Sequence, residues 1–146
     1  MNTQKIVLIG DGRVGKTTLV NILREKDFQD KYIATLGVEV HPITRDNKRY
    51  NLWDCAGTDK FRGCGDGYYI HAQGAIIMCD PSNYESIKHV EKWSKDFKRV
   101  VGNDVPIVYV INKSDLLPEE FHDDRFIKIS CKNKKNIEEV LNYFHN

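Results

Sequence analysis

The sequence of 146 residues is poor in the features that mark fibrous, secreted or membrane-embedded proteins. Four prolines and ten glycines are too few for a collagen-like or low-complexity chain. The formal net charge is only +1, from 22 lysines and arginines against 21 aspartates and glutamates, so a dedicated nucleic-acid binder is not expected. No run approaches the roughly 20 apolar residues that a membrane-spanning helix needs. The composition indicates one soluble globular domain over residues 1–146.

The four cysteines, Cys55, Cys64, Cys79 and Cys131, have neither the spacing of a zinc site nor a secretory signal before them. We therefore expect reduced thiols in a cytosolic or nuclear protein. Asn2 excludes N-myristoylation, and no cysteine lies within the last fifteen residues for prenylation. No membrane anchor is expected.

The hydrophobic pattern predicts an α/β fold. Residues 6–9, 75–78 and 107–111 are apolar almost throughout, as expected of parallel strands covered on both faces. The other predicted elements are strands at 38–45 and 49–54, which form a hairpin, a strand at 126–130, and helices at 15–25, 83–101 and 137–145. The result is a doubly wound, mostly parallel six-stranded sheet with one antiparallel edge strand and helices on both faces.

Three local details refine this pattern. Pro42 cannot donate to a sheet ladder, so the strand at 38–45 is expected at an edge. Ser82 and Glu85 have the spacing of a capping box at the start of the helix 83–101. Asn136 is expected to cap the last helix.

A phosphate-binding loop follows the first strand. Residues 10–17 read G-D-G-R-V-G-K-T, which matches the G-x-x-x-x-G-K-[ST] pattern between a strand and a helix. Backbone N–H groups of such a loop turn inward around a phosphate, and the helix N-terminus adds its dipole. Lys16 should reach the β- and γ-phosphates, and the Thr17 hydroxyl should bind Mg²⁺. The expected nucleotide contacts are Asp11, Gly12, Arg13, Val14, Gly15, Lys16, Thr17 and Thr18.

A second motif indicates the base. Asn112, Lys113, Ser114 and Asp115 directly follow the strand 107–111, at the end where doubly wound sheets bind ligands. The Asp115 carboxylate can only accept hydrogen bonds. Guanine offers it a ring N–H and an exocyclic NH₂, and adenine offers neither at that edge. Ser130, Cys131 and Lys132 form a loop that could close over the base.

A third group of residues is expected near the γ-phosphate. Asp54 ends another strand and can hold the Mg²⁺ shell through water, and Gly57 lets its backbone N–H approach the phosphate. Thr35 is a candidate second Mg²⁺ ligand in the loop before the edge strand. The expected catalytic set is Lys16, Thr35, Gly57 and Thr58.

With these motifs in order, the chain resembles the Ras-superfamily small GTPases, which are P-loop proteins with one small G domain. Within that superfamily it resembles the Ran family of nuclear-transport GTPases, through A-T-L-G-V-E-V-H-P at 34–42 and D-G-Y-Y-I at 66–70. The resemblance implies a GTP/GDP switch with Mg²⁺, and it implies that Phe28 stacks on the guanine edge-on and Phe61 belongs to the second switch. It implies an exchange factor, an activating protein and importin/exportin-type receptors as partners. It also implies a monomer in nucleus and cytoplasm.

The chain departs from the family pattern in three places. Thr58 stands where relatives carry the glutamine that orients the attacking water, so slow hydrolysis is expected. Arg13 occupies a loop position that is often small, and we expect it to point to solvent. Only fourteen residues separate Asp115 from Ser130, so the helix usual there should be reduced or missing, and Ran's C-terminal extension is not seen.

Two other functions stay open from the sequence. A hydrolysis-impaired chain could act as a long-lived GTP-bound ligand for Ran-type receptors. A small P-loop kinase would instead prefer ATP, which residues 112–115 oppose. The five histidines, His41, His71, His89, His122 and His145, are expected on the surface or in strands, and Trp93 is expected to pack or to shield a partner surface.

Overall fold

The computed structural model describes residues 3–25, 31–33, 38–54, 65–118, 121 and 123–144. The elements, in chain order, are β1 (Thr3–Gly10), α1 (Lys16–Leu23), β2 (Tyr32–Ile33), β3 (Glu39–Arg45), β4 (Lys48–Asp54), α2 (Gly65–Tyr69), β5 (Gly74–Cys79), α3 (Tyr84–Lys88), α4 (Val90–Val101), β6 (Ile107–Ile111), a 3₁₀ turn (Ser114–Leu116), β7 (Phe126–Lys128) and α5 (Ile137–Asn142). No helix in the described parts of the chain is long and apolar enough to cross a membrane.

The strands form one sheet in the order β2-β3-β4-β1-β5-β6-β7. All neighbours from β4 to β7 pair in parallel, whereas β3 is antiparallel to both β4 and β2. The six predicted strands are therefore confirmed, and the two-residue β2 is added outside β3. Because β2 pairs only with Glu39 and Val40, Pro42 lies on a stretch of β3 that has β4 alone as a described neighbour, in agreement with its missing N–H.

Helices cover both faces of the sheet, which explains why the central strands are apolar throughout. On β1, Ile6 and Leu8 belong to the core under α1 and α5, whereas Val7 and Ile9 belong to the core under α2 and α4. All these side chains are buried. Alternate residues of a strand point to opposite faces, so a strand between two helical layers has no polar side.

The hairpin turn follows from its two residues. Asp46 and Asn47 connect β3 to β4, and both have left-handed φ angles, 50° and 65°. Two successive positive φ angles define the type I′ turn, which suits the twist of paired strands and favours asparagine and aspartate.

The predicted helix 83–101 is interrupted at His89, between α3 and α4. Backbone hydrogen bonds continue across the interruption, from His89 N–H to Glu85 O (3.1 Å) and from Trp93 N–H to His89 O (3.0 Å). His89 and Trp93 are therefore four residues apart on one helical face.

Both predicted caps are wrong. No side chain caps α3, because Ser82 donates instead to Asp80 Oδ1, from its hydroxyl and from its N–H, each at 2.9 Å. Asn136 precedes α5 with a φ of 61°, and its side-chain amide donates to Lys128 O at 2.9 Å rather than capping the helix. In both cases the side chain has another partner, Asp80 two residues before Ser82 and Lys128 eight residues before Asn136.

The segment that joins the base motif to β7 is short, as expected. After the 3₁₀ turn Ser114–Leu116, no helix occurs in the described residues up to 130.

Candidate functional site

The carboxyl ends of four parallel strands bring the predicted motifs to one edge of the sheet. β1 leads into loop 10–15, β4 ends at Asp54, β5 leads to Asp80, and β6 leads to Asn112. Parallel strands end at the same edge, and ligands of doubly wound sheets bind there. The topology therefore explains why motifs far apart in sequence meet.

The loop between β1 and α1 depends on two glycines. Gly10 has a φ of 152°, and a Cβ there would lie 2.5 Å from Met78 O. Gly15 has a φ of 104°, and its Cβ would lie 2.3 Å from Asn112 Nδ2. Both positions exclude a side chain by backbone conformation and by space. The motif glycines thus serve close packing against β5 and the base motif.

The side chain of Lys16, the first residue of α1, points back to this loop rather than into solvent. Its side chain is buried, and Nζ donates to Gly10 O at the start of the loop. The ammonium thus lies where the loop closes on itself, beside the backbone N–H groups that would surround a phosphate. Val14 is also buried, whereas Arg13, Thr17 and Thr18 are exposed, so the prediction that Arg13 faces solvent is confirmed. Asp11, Gly12 and Gly15 are partly buried.

The two described members of the predicted Mg²⁺ site are neighbours. Thr17 Oγ1 lies 3.4 Å from Asp54 Oδ2, and Asp54 is buried. A hydroxyl and a carboxylate are hard oxygen donors, which Mg²⁺ prefers, and Mg²⁺ usually needs few protein ligands because it keeps several waters. This pair therefore fits the ion.

Asn112 joins three segments of the site. Its Nδ2 donates to Val14 O in the phosphate loop at 3.1 Å, and its Oδ1 accepts from the Cys131 N–H at 3.1 Å. The side chain is buried, so both bonds are shielded from water. The phosphate loop, the base motif and the loop of Ser130, Cys131 and Lys132 thus meet at one amide.

Lys113 makes two side-chain contacts that the motif did not predict. Its Nζ lies 2.7 Å from Asp80 Oδ2 and 3.1 Å from Ser82 Oγ. Asp80 is 1% exposed and follows β5 directly, at the same edge of the sheet. That position was the available signal, because a carboxylate at the end of a buried strand needs a partner. Asp115, two residues on, is exposed.

The loop that follows β7 is only partly accessible. Ser130 is buried, and its hydroxyl accepts from the Asn133 N–H at 3.1 Å, whereas Lys132 is exposed. Cys131 is buried beside Asn112, and burial raises the pKa of its thiol to about 11. Cys79 is likewise buried, with a pKa raised to about 12 chiefly by burial. Both are free thiols, as expected.

Asp11 has partners that the sequence reasoning did not assign. Its Oδ2 lies 2.5 Å from His89 Nδ1, and its Oδ1 accepts from Trp93 Nε1 at 2.8 Å. The expectation that His89 is a plain surface residue and Trp93 a packing residue is therefore incomplete. His41, in contrast, is the strand residue expected, buried on β3.

Several predicted residues lie outside the part of the chain that the structure describes. They are Phe28, Thr35, Gly57, Thr58 and Phe61, together with Cys55, Cys64, His122 and His145. Their predicted roles stay predictions.

The comparison with protein families agrees with this arrangement. The model of the Ras family matches residues 5–145, which is nearly the whole chain and spans the phosphate loop, Asp54 and the base motif. The chain therefore belongs to the Ras family, the small GTPases that act as GTP-binding switches and hydrolyse GTP.

Proposed function

We propose that this chain binds GDP and GTP at the edge formed by loop 10–17, Asp54 and residues 112–115. The observation that carries the proposal is the Asn112 amide, which ties the phosphate loop to the loop at Cys131. A site in which phosphate and base loops share one buried amide fits a ligand that has a phosphate at one end and a base at the other. Within it, the amides of residues 11–18 bind the phosphates, Phe28 packs on the base, and Ser130, Cys131 and Lys132 close over it.

The base is guanine because of Asp115. Its carboxylate accepts from two adjacent donors of guanine, and adenine would leave it unpaired. A site built to hydrogen-bond a ligand rejects an analogue that lacks the donors by about 10⁴ or more. Competition for bound fluorescent GDP tests this proposal directly. We expect GTP to displace it and ATP to fail at a thousandfold higher concentration; displacement by ATP as readily as by GTP would favour a P-loop kinase instead.

The same site supplies the elements of GTP hydrolysis by electrostatics rather than by a covalent nucleophile. Lys16 and the loop amides stabilise negative charge on the β- and γ-phosphate oxygens. Thr17, Thr35 and, through water, Asp54 would hold Mg²⁺, and the ion would neutralise further charge on those phosphates. Gly57 offers a backbone N–H to the γ-phosphate.

We further propose that hydrolysis is slow because residue 58 is threonine. Threonine is shorter than glutamine and has no amide. Its hydroxyl can donate and accept, but it does not reach far enough to contact the attacking water and the phosphoryl group together as the glutamine amide does. Single-turnover hydrolysis of GTP should be faster in Thr58→Gln than in the unchanged chain. Thr58→Ser is the matched control, because serine lacks the amide as well and should stay slow. Equal rates in all three proteins, with and without an activating protein, would contradict the proposal.

The biological role proposed is of the Ran type, in nucleocytoplasmic transport. It rests on the resemblance of residues 34–42 and 66–70 to the switch regions of the Ran family. The partners would be an exchange factor, an activating protein and importin- or exportin-type receptors, met in nucleus and cytoplasm by a monomer. A purified importin-type receptor should bind the chain loaded with a non-hydrolysable GTP analogue much more tightly than the GDP form. Equal binding, or none, would argue against this role while leaving nucleotide binding intact.

A second function is favoured by Thr58. A chain that hydrolyses GTP very slowly would remain a GTP-bound ligand of such receptors instead of cycling. The hydrolysis measurement above separates the two, because the binding module should show no acceleration by any activating protein.

A further inference from the structure

We propose that His89 and Trp93 are positioning residues that hold the phosphate loop in its binding shape through the side chain of Asp11. We call these three residues the Asp11 clamp. The inference deepens the proposed nucleotide site and rests on it. It adds a contribution from the α3–α4 segment, which contains none of the nucleotide motifs.

Hydrogen-bond chemistry in the clamp is complementary. A carboxylate only accepts and the indole N–H only donates, so Trp93 Nε1 donates to Asp11 Oδ1 at 2.8 Å. The other oxygen, Oδ2, lies 2.5 Å from His89 Nδ1, which must carry the hydrogen. Each carboxylate oxygen thus has its own donor. Bonds to an ionised acceptor are stronger than those between neutral groups.

The donors sit on a rigid support. His89 and Trp93 lie one helical turn apart, so both side chains leave the same face. Helix α4 is fixed to the sheet by Val90 and Phe97, which are fully buried. The clamp therefore connects the phosphate loop to a helix that is packed on the sheet.

The position of Asp11 explains why its orientation matters. Asp11 directly follows Gly10, whose φ of 152° starts the turn of the loop, and its own N–H is among those proposed to face a phosphate. A carboxylate facing the phosphates would repel them. The clamp turns this charge toward α4, where two donors compensate it, and leaves the loop amides on the phosphate side. Asp11 is only 18% exposed in its side chain.

The experiment compares nucleotide release in four variants. Trp93→Phe keeps the ring and removes the donor, and His89→Leu removes the imidazole. His89→Asn keeps a side-chain N–H and should rescue much of the loss. Tyr109→Phe is the matched control, because it removes the hydrogen bond between the Tyr109 hydroxyl and Ser94 on α4, at 2.9 Å, and touches no part of the clamp.

We expect GDP to dissociate on the order of tenfold faster from Trp93→Phe and from His89→Leu, as the loss of one hydrogen bond to a charged group implies. His89→Asn and Tyr109→Phe should remain near the unchanged chain. The ratio of GDP affinity to GMP affinity should fall several-fold in the first two variants, because GMP lacks the β-phosphate that the loop surrounds.

Other outcomes would overturn the inference. GDP release within twofold of the unchanged chain in both variants would show that the clamp does not position the loop. Equal losses of GDP and GMP affinity, or equal acceleration in Tyr109→Phe, would show a general weakening of α4 instead. An unchanged chain that binds no GDP would remove the proposed function itself, and the inference with it.

Discussion

Replacing Gly15 by alanine should destabilise the protein through the base motif as well as through the backbone. The added Cβ would lie 2.3 Å from Asn112 Nδ2, and the φ of 104° is one that side chains rarely adopt. Asn112 would have to move, and its two hydrogen bonds, to Val14 O and from the Cys131 N–H, would be lost together. One added methyl group should therefore break the contacts that join the phosphate loop, the base motif and the loop at Cys131.

The size of the effect follows from these terms. An L-residue in a left-handed conformation costs about 1–2 kcal/mol. Each lost hydrogen bond costs about 1 kcal/mol, and more if a buried group stays unpaired. Gly15→Ala should therefore lower the free energy of unfolding by about 3–5 kcal/mol. A domain of ordinary stability, about 5–15 kcal/mol, can still fold after such a loss.

Gly102 provides a matched control within the same chain. Its φ is also positive, 90°, and with a ψ of −176° it lies in a region essentially restricted to glycine, but nothing lies within 4 Å of an added Cβ. Gly102→Ala should therefore cost only the backbone strain, about 1–3 kcal/mol. Urea unfolding measures the free-energy change of both variants. The proteins must be free of nucleotide, because a bound ligand would add to the stability of the folded state. A loss in Gly15→Ala no larger than in Gly102→Ala would refute the contact with Asn112 as the cause.

Two further predictions concern buried polar side chains. Burial lowers the pKa of His41 from its ordinary value of 6.5, and the Arg24 charge acts in the same direction. As pH falls, the unfolded chain therefore takes up the proton before the folded chain does. The free energy of unfolding should decrease below about pH 6.5. In His41→Leu, the free energy of unfolding measured with urea should change less between pH 7.5 and pH 5.5 than in the unchanged chain. The same dependence on pH in both proteins would contradict the prediction. The buried Tyr68 hydroxyl accepts from the Leu8 N–H at 3.0 Å and also contacts Leu8 O and Trp53 O. Tyr68→Phe should thus lower the free energy of unfolding by about 1–3 kcal/mol, and a change under about 0.5 kcal/mol, usual for surface substitutions, would contradict the assigned bonds.

The fold was largely predictable because its signals are local. The apolar runs 6–9, 75–78 and 107–111 indicated strands buried on both faces, and the structure has β1, β5 and β6 there. The hairpin of 38–45 and 49–54 was expected with residues 46–48 as its connection. The structure shortens the connection to Asp46 and Asn47, because Lys48 already belongs to β4. Caps were less predictable. A side chain near a helix start can bond to the free helix end or to another nearby group, as Ser82 does to Asp80 and Asn136 to Lys128. Only the folded chain decides between the two.

What the sequence determined by itself is the chemistry of the site's edge. The glycines and the lysine that follow the first strand predicted the phosphate loop. Asp54 and Asn112 were predicted to lie near it, because the parallel strands that precede them must end at the same edge of the sheet. What only the tertiary structure decided is how that edge is held. Asp11 contacts His89 and Trp93, which are 78 and 82 residues away in the sequence. Lys113 donates a hydrogen bond to Ser82, which is 31 residues away. The contacts of Asp11 depend on where helices α3 and α4 pack on the sheet, and the contact of Lys113 depends on the pairing of β5 with β6, which the two loops follow. No spacing along the chain encodes either.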